Sequence, residues 1–270
     1  ADAKAEVFQN IDTSGAVLLN RDNRHFQRLR DHAESNRLKR IFSFGTHVDS
    51  EIRLLNTVIT SMGSKVRAAV FGEIVEYNVG PPGRHWVQNS LAVIGASYLY
   101  GADLQVTAAA LADMQPEKGR GLCYTVTITG GGFKLIDESY NANPASMRAA
   151  IEVLENTHPG PGGRRIAVLG DMLELGPAAP KFHQNLAKDL ADSKVDIVFL
   201  AGEHMAILAK AMSAQTIGAY ESTSDLLIAS IAVAVSPGDV VLVKGSLGSK
   251  MTRIVDALLA IDLLPDNRHT

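Results

Sequence analysis

The run from Arg165 to Ala201, RIAVLGDMLELGPAAPKFHQNLAKDLADSKVDIVFLA, decides the fold class. Arg165–Leu169 is a short apolar run of the kind that is buried on both faces of a sheet. Lys181–Asp192 reads as a helix, and Asp196–Ala201 returns as a strand. Strand, helix and strand in that order imply parallel strands joined by a crossover helix. The alternation continues downstream, with helices expected at His204–Met212 and Leu226–Val235, a strand at Val240–Lys244 and a helix at Lys250–Ala260. Upstream, Leu122–Ile128 alternates as a strand, the turn Thr129-Gly130-Gly131-Gly132 follows, and Phe133–Asp137 is a second strand ahead of a helix at Ala145–Asn156. Residues 114–270 are therefore expected to form a doubly wound α/β domain.

Residues 1–113 are expected to form a separate α/β domain. Strands are expected at Ala16–Asn20 and Ile41–Gly45 on either side of a helix at Arg24–Ala33, with further strands at Val66–Phe71 and Ile74–Val79. Gly80-Pro81-Pro82-Gly83 breaks the pattern. Val87–Tyr100 then reads as a helix, with Leu91, Ile94 and Tyr98 at helical spacing.

Of the 270 residues, 46% are hydrophobic, which is enough for a substantial core. The 26 basic and 29 acidic residues are mixed in order and leave a formal net charge of -3, so no field favours nucleic acid or an anionic membrane. Cys123 is the only cysteine, which excludes an intrachain disulfide and a cysteine-rich zinc cage and suits a reducing cytoplasm. The longest apolar run, Leu226–Val235, is too short to cross a bilayer as a helix. The chain opens on Ala1 in what reads as the middle of an element, so the start of a longer protein is expected to be missing.

Three polar clusters fall where strands end, the place where open α/β sheets bind ligands. The first is Asp137-Glu138-Ser139-Tyr140-Asn141-Ala142-Asn143-Pro144. Asn143 and Pro144 suit the cap and first position of a helix; Asp137, Glu138 and Asn141 beside them point to a ligand. The second is Gly170–Gly176, an acidic, glycine-bounded turn. The third is Lys244-Gly245-Ser246-Leu247-Gly248, ahead of a helix whose N-terminus favours an anion. No G-x-x-x-x-G-K-[ST] phosphate loop, G-x-G-x-x-G fingerprint or H-E-x-x-H zinc motif occurs in the 270 residues.

Taken together, LIDESYNANPASM (Leu135–Met147), VLGDMLELG (Val168–Gly176) and VLVKGS (Val241–Ser246) resemble, in order and spacing, the C-terminal domain of the Mur ligases, the ATP-dependent ligases of the bacterial cell wall. PGRHWVQNSLA (Pro82–Ala92) resembles the segment that closes the family's central ATPase domain, and AKAEVF (Ala3–Phe8) its lysine-bearing segment. The resemblance implies the C-terminal half of a central P-loop-type ATPase domain at 1–113 and a Rossmann-like ligase domain at 114–270. The strings Tyr140–Pro144 and Gly170–Gly176 point to the branch that joins D-alanyl-D-alanine to UDP-N-acetylmuramoyl-tripeptide in peptidoglycan synthesis, and hence to cell shape and division.

In such a ligase, ATP phosphorylates the tripeptide's terminal carboxylate, the dipeptide amine attacks the acyl phosphate, and magnesium offsets the crowded negative charge. The resemblance implies that Lys4 is carbamylated and serves as a magnesium ligand. It also implies that Asn89 contacts adenine, that Arg120 with Asp137 or Glu138 reaches the nucleotide, and that Asn141, Asn143, Lys244 and Ser246 line the substrate cleft. Asn141 and Lys244 are expected to face that cleft rather than the core. Trp86 stands where the family often has asparagine, and Leu247 where it often has arginine. The family's uridine-nucleotide-binding domain and phosphate loop have no counterpart in these residues. Two other readings stand beside this one: a different Mur or folylpolyglutamate synthetase-like ligase, and a non-catalytic fragment that retains nucleotide or dipeptide contacts.

Overall fold

The computed structural model describes residues 1–60, 63–214 and 216–261. They form two compact units, Ala1–Gln115 and Pro116 onward.

The first unit begins with the short helix α1 (Asp2–Ala5) and continues through β1 (Ala16–Asn20), α2 (Phe26–Ser35) and β2 (Arg40–Gly45). It then runs through β3 (Ile52–Thr60), β4 (Gly63–Val70), β5 (Glu73–Val79), α3 (Arg84–Tyr100) and α4 (Leu104–Ala112). Its sheet has the order β1-β2-β3-β4-β5; β1, β2 and β3 are parallel, and β3, β4 and β5 form an antiparallel meander. Strand β3 and helix α4 have no counterpart in the sequence reading. Beyond Ile52, β3 is mostly half-buried or exposed and lacks a clean alternation. Helix α4 is apolar nearly all round, so no polar face marks its period.

The β4–β5 turn is the two residues Phe71 and Gly72, with φ of 48° and 93°. Positive φ at both positions gives the twist a two-residue hairpin needs. It is costly for Phe71, whose ring stacks on Tyr98 at 4.6 Å and meets Phe42 edge-on at 5.1 Å. Those contacts tie the turn to α3. Helix α3 turns Val87, Leu91 and Ile94 into the core at helical spacing and ends at Gly101 in the left-handed conformation.

The second unit runs β6 (Leu122–Ile128), β7 (Gly131–Glu138), α5 (Pro144–Asn156), β8 (Arg165–Gly170), α6 (Ala179–Ala191) and β9 (Ile197–Ala201). It continues with α7 (Met205–Ala211), β10 (Ile217–Glu221), α8 (Ser224–Ala234), β11 (Val240–Lys244) and α9 (Thr252–Ile261). The sheet order is β10-β9-β8-β11-β7-β6, parallel except for β6. Strand alternation divides the core cleanly. Ala167 and Leu169 of β8 and Leu242 of β11 pack under α5, α6 and α7, whereas Ile166, Val168, Val241 and Val243 pack under α8 and α9. Each buried leucine or valine there contributes about 1.5–3 kcal/mol by leaving water. Strand β11 is inserted between β8 and β7, so the chain leaves neighbouring strands toward opposite faces of the sheet. That reversal opens a crevice at the carboxyl ends.

Candidate functional site at the carboxyl edge of the six-stranded sheet

The register β11/β7 sets Lys244 beside Glu138 on the same face of adjacent strands. Lys244 is 2% exposed; its Nζ lies 3.1 Å from Glu138 Oε2 and donates to the carbonyl of Asn141 at 2.9 Å. The expected open lysine is thus sunk at the end of a central strand and neutralised by Glu138, because all five residues of β11 are buried. Asn141 is exposed, and its side-chain oxygen accepts the Ala142 N–H at 2.8 Å.

Asp137 points to the other face and is wholly buried. Its carboxylate accepts from Gly119 N at 2.8 Å, Ser139 N at 3.1 Å and Ser139 Oγ at 2.6 Å. Of the two acids, only Glu138 retains exposed surface, 16% of its side chain. Arg120, next to the tethered Gly119, is exposed and lies 4.4 Å over the Tyr140 ring. Asn143 caps α5: its side chain accepts from Ser146 N at 2.9 Å, and its own N–H donates to Ser146 Oγ at 3.0 Å.

Ser246 stitches the loops together. Its Oγ accepts from Leu173 N at 2.9 Å and donates to the carbonyl of Ala142 at 3.3 Å, while its N–H donates to the carbonyl of Asp171 at 3.0 Å. The structure therefore brings the clusters at 137–143, 170–176 and 244–248 to one place. Asp171 extends the stitching to the next helix, accepting from Met205 N at 2.9 Å and His204 N at 3.3 Å at the start of α7. Gly202, at φ of 127°, leaves room for it: a Cβ there would lie 2.4 Å from Asp171 Cγ.

Two features escaped the sequence reading. One is His183, fully buried on the apolar face of α6 with Ala179, Leu186 and Leu190; its place at helical spacing among apolar residues was the available signal. The other is a cavity of about 240 Å³ beyond β8, β9 and β10, lined by Asp171, Glu203, Thr223, Ser224, Asp225 and Lys250 among others. Asp225 is ion-paired with Arg253, whose hydrogen bond holds the carboxyl below its ordinary value. Nothing local in the sequence joins these distant residues.

In the first unit, Lys4 is exposed on α1 and Asn89 is exposed on α3. Beside Asn89 in sequence, Gln88 donates to Asn20 Oδ1 at 3.3 Å, and Asp22 accepts from Thr46 N at 2.8 Å and Thr46 Oγ1 at 3.0 Å. These bonds form a polar cluster at the carboxyl ends of β1 and β2.

Residues 1–97 match the Mur ligase middle domain, and residues 123–247 match the Mur ligase, glutamate ligase domain. The chain belongs to the Mur ligase family. Within it, the chain is similar to UDP-N-acetylmuramoyl-tripeptide--D-alanyl-D-alanine ligases. That of Rickettsia prowazekii is 25% identical over 95% of this chain and 56% of the relative; that of Synechocystis is 31% identical over 96% and 53%. The fold matches MurF from Acinetobacter baumannii with a TM-score of 0.81 at 23% identity, over 96% of this chain and 55% of that one. It also matches MurF ligase from Thermotoga maritima in complex with ADP, with a TM-score of 0.77 at 21% identity over 97% and 57%. The chain spans about half the length of the curated relatives it matches.

Proposed function

We propose that this chain carries part of the active site of an ATP-dependent ligase that joins D-alanyl-D-alanine to UDP-N-acetylmuramoyl-tripeptide in the cytoplasm, a step of peptidoglycan synthesis that serves cell shape and division. The observation that carries the reading is the convergence of the three clusters in one stitched set of loops, in a chain whose curated relatives along its length share this activity. It favours this branch over other Mur or folylpolyglutamate synthetase-like ligases. In the proposal, ATP activates the tripeptide carboxylate as an acyl phosphate, and the dipeptide amine displaces phosphate.

Asn89 and Arg120 present exposed donors for the nucleotide, and Glu138 rather than the enclosed Asp137 offers an acceptor to a ribose hydroxyl. Lys244 and Ser246 hold the loops that offer Asn141 and Asn143 to the substrates. The 240 Å³ cavity suits a zwitterionic dipeptide: the N-terminus of α8 favours a carboxylate, and Asp171 and Glu203 favour an ammonium. Magnesium supplies charge neutralisation when bound. Among the described residues, no cluster of three histidine, cysteine or acidic side chains could hold it, so these residues alone do not make its site. Lys4, exposed and free to be carbamylated, is proposed to add one oxygen ligand.

A second reading concerns the 270 residues by themselves. With no phosphate-loop string among them, they are proposed to bind nucleotide weakly and to turn nothing over. The test is formation of the ligated pentapeptide nucleotide by the complete gene product, with ATP, magnesium and a panel of acceptors. Ligation of D-alanyl-D-alanine but not of single amino acids is expected; preference for a single amino acid would move the protein to another branch. Turnover by the 270-residue chain alone would overturn the second reading.

A further inference from the structure

We propose that His183 is a positioning residue: its neutral imidazole fixes the loop Asp171–Gly176 and so sets the shape of the 240 Å³ cavity. The functional half of this inference rests on the placement of the dipeptide in that cavity. The ring is fully buried, yet both of its nitrogens are engaged. Nε2 lies 3.0 Å from Met172 N, which can only donate, so Nε2 must accept. Nδ1 lies 2.7 Å from the carbonyl of Ala179, which can only accept, so Nδ1 must carry the proton. The two bonds select one neutral tautomer.

The next amide along, Leu173 N, is held by Ser246 Oγ at 2.9 Å. Two consecutive N–H groups of the loop are thus gripped by side chains from α6 and from the segment after β11. Asp171, just before the gripped pair, and Leu173, within it, line the cavity, and Glu174, just beyond, sits at φ of 60°, a conformation that needs such a grip to persist. The charged and titratable groups facing the ring are Asp171, with Oδ1 at 3.9 Å, and His204, whose ring centroid is 5.1 Å away. Burial, the largest influence, pushes the His183 imidazole below its ordinary value and keeps Nε2 available as an acceptor.

An apolar residue of the same size would fill the space but leave the Met172 N–H buried without a partner. His183→Phe and His183→Gln separate packing from positioning, because glutamine can still present an acceptor. Nitrogen-resolved NMR of the parent chain at neutral pH should show Nε2 unprotonated and Nδ1 protonated. Hydrogen exchange at Met172 should speed up about tenfold or more in the Phe variant, and titrated D-alanyl-D-alanine should bind it about tenfold more weakly, with Gln staying within about threefold of the parent. Protonated Nε2, or an unprotected Met172 amide in the parent, would overturn the proposal even if the Phe variant fails to fold. So would a Phe variant with lowered stability but parental dipeptide affinity. If the dipeptide leaves the cavity resonances of the parent unmoved, the dipeptide placement falls, and the tautomer and exchange measurements still decide the role of His183.

Discussion

Strand β11 ends in a buried charge at each end, and the two ends are built differently. At the amino end, Asp239 is 1% exposed and accepts from Arg164 N at 2.8 Å, Arg164 Nε at 3.2 Å, the terminal guanidinium nitrogen of Arg164 at 2.7 Å and Ser236 N at 2.8 Å. Every lone pair has a donor from a nearby turn, and the cluster is closed. At the carboxyl end, Lys244 has three N–H donors and, among the described residues, two protein acceptors, and its partner Glu138 still reaches solvent. The closed end is satisfied wholly within the protein, whereas at the open end Glu138 keeps part of its side-chain surface to solvent. A buried charge alone does not mark a site.

Removing the closed cluster should have the largest effect on stability. Asp239→Ala strands the backbone N–H groups of Arg164 and Ser236 and takes the carboxylate from the Arg164 guanidinium, which keeps the carbonyl of Ala234 at 2.6 Å. It should cost about 3–5 kcal/mol in urea unfolding, with binding of ADP to the surviving fold unchanged. Loss of under about 1 kcal/mol would show that the two ends are not different in kind. Lys244→Met should cost less, about 2 kcal/mol, because Glu138 can turn its charge to water. In the complete enzyme it should also lower ligation by about a hundredfold or more. Normal ligation would make Lys244 purely structural.

His183 sharpens the comparison through pH. Its folded-state value is depressed by burial, while the unfolded chain titrates at about 6.5, so its contribution is full above about pH 6.5 and is lost as acid protonates the unfolded chain first. The decline ends once the folded form also takes up its proton. Chemical unfolding of the parent and of His183→Gln between about pH 7 and 5 should show a steeper decline for the parent. Parallel curves would remove histidine from the account. The smallest effect on stability is expected for Lys4→Ala, within about 0.5 kcal/mol, since Lys4 is exposed on a four-residue helix. The same change should reduce ligation by the complete enzyme by orders of magnitude, with partial rescue by short carboxylic acids. Near-normal activity without rescue would end the carbamate reading.

Much of the second unit was legible from Arg165–Leu169, Asp196–Ala201 and Val240–Lys244, because a strand buried on both faces is apolar throughout and stands out from its neighbours. Strand β10 was not read: its five residues, Ile217–Glu221, lie at the sheet edge and none is buried, so no apolar run declares them. The positive φ of Phe71 was equally hidden, since its stabilisation comes from Tyr98 and Phe42 far along the chain.

At the site, the same limit separates residue type from residue role. Composition and order alone determined that Glu138, Lys244 and Ser246 stand at strand ends, and that Asn143 and Pro144 open a helix, because caps and periodicity act over a few residues. Only the tertiary structure decided that Asp137 is enclosed while Glu138 is not, that Lys244 is spent on a partner 106 positions away, and that His183 grips Met172. Those outcomes depend on which face each strand residue presents and on which strands the crossovers make neighbours. Both are properties of the assembled sheet, and no local run of residues contains them.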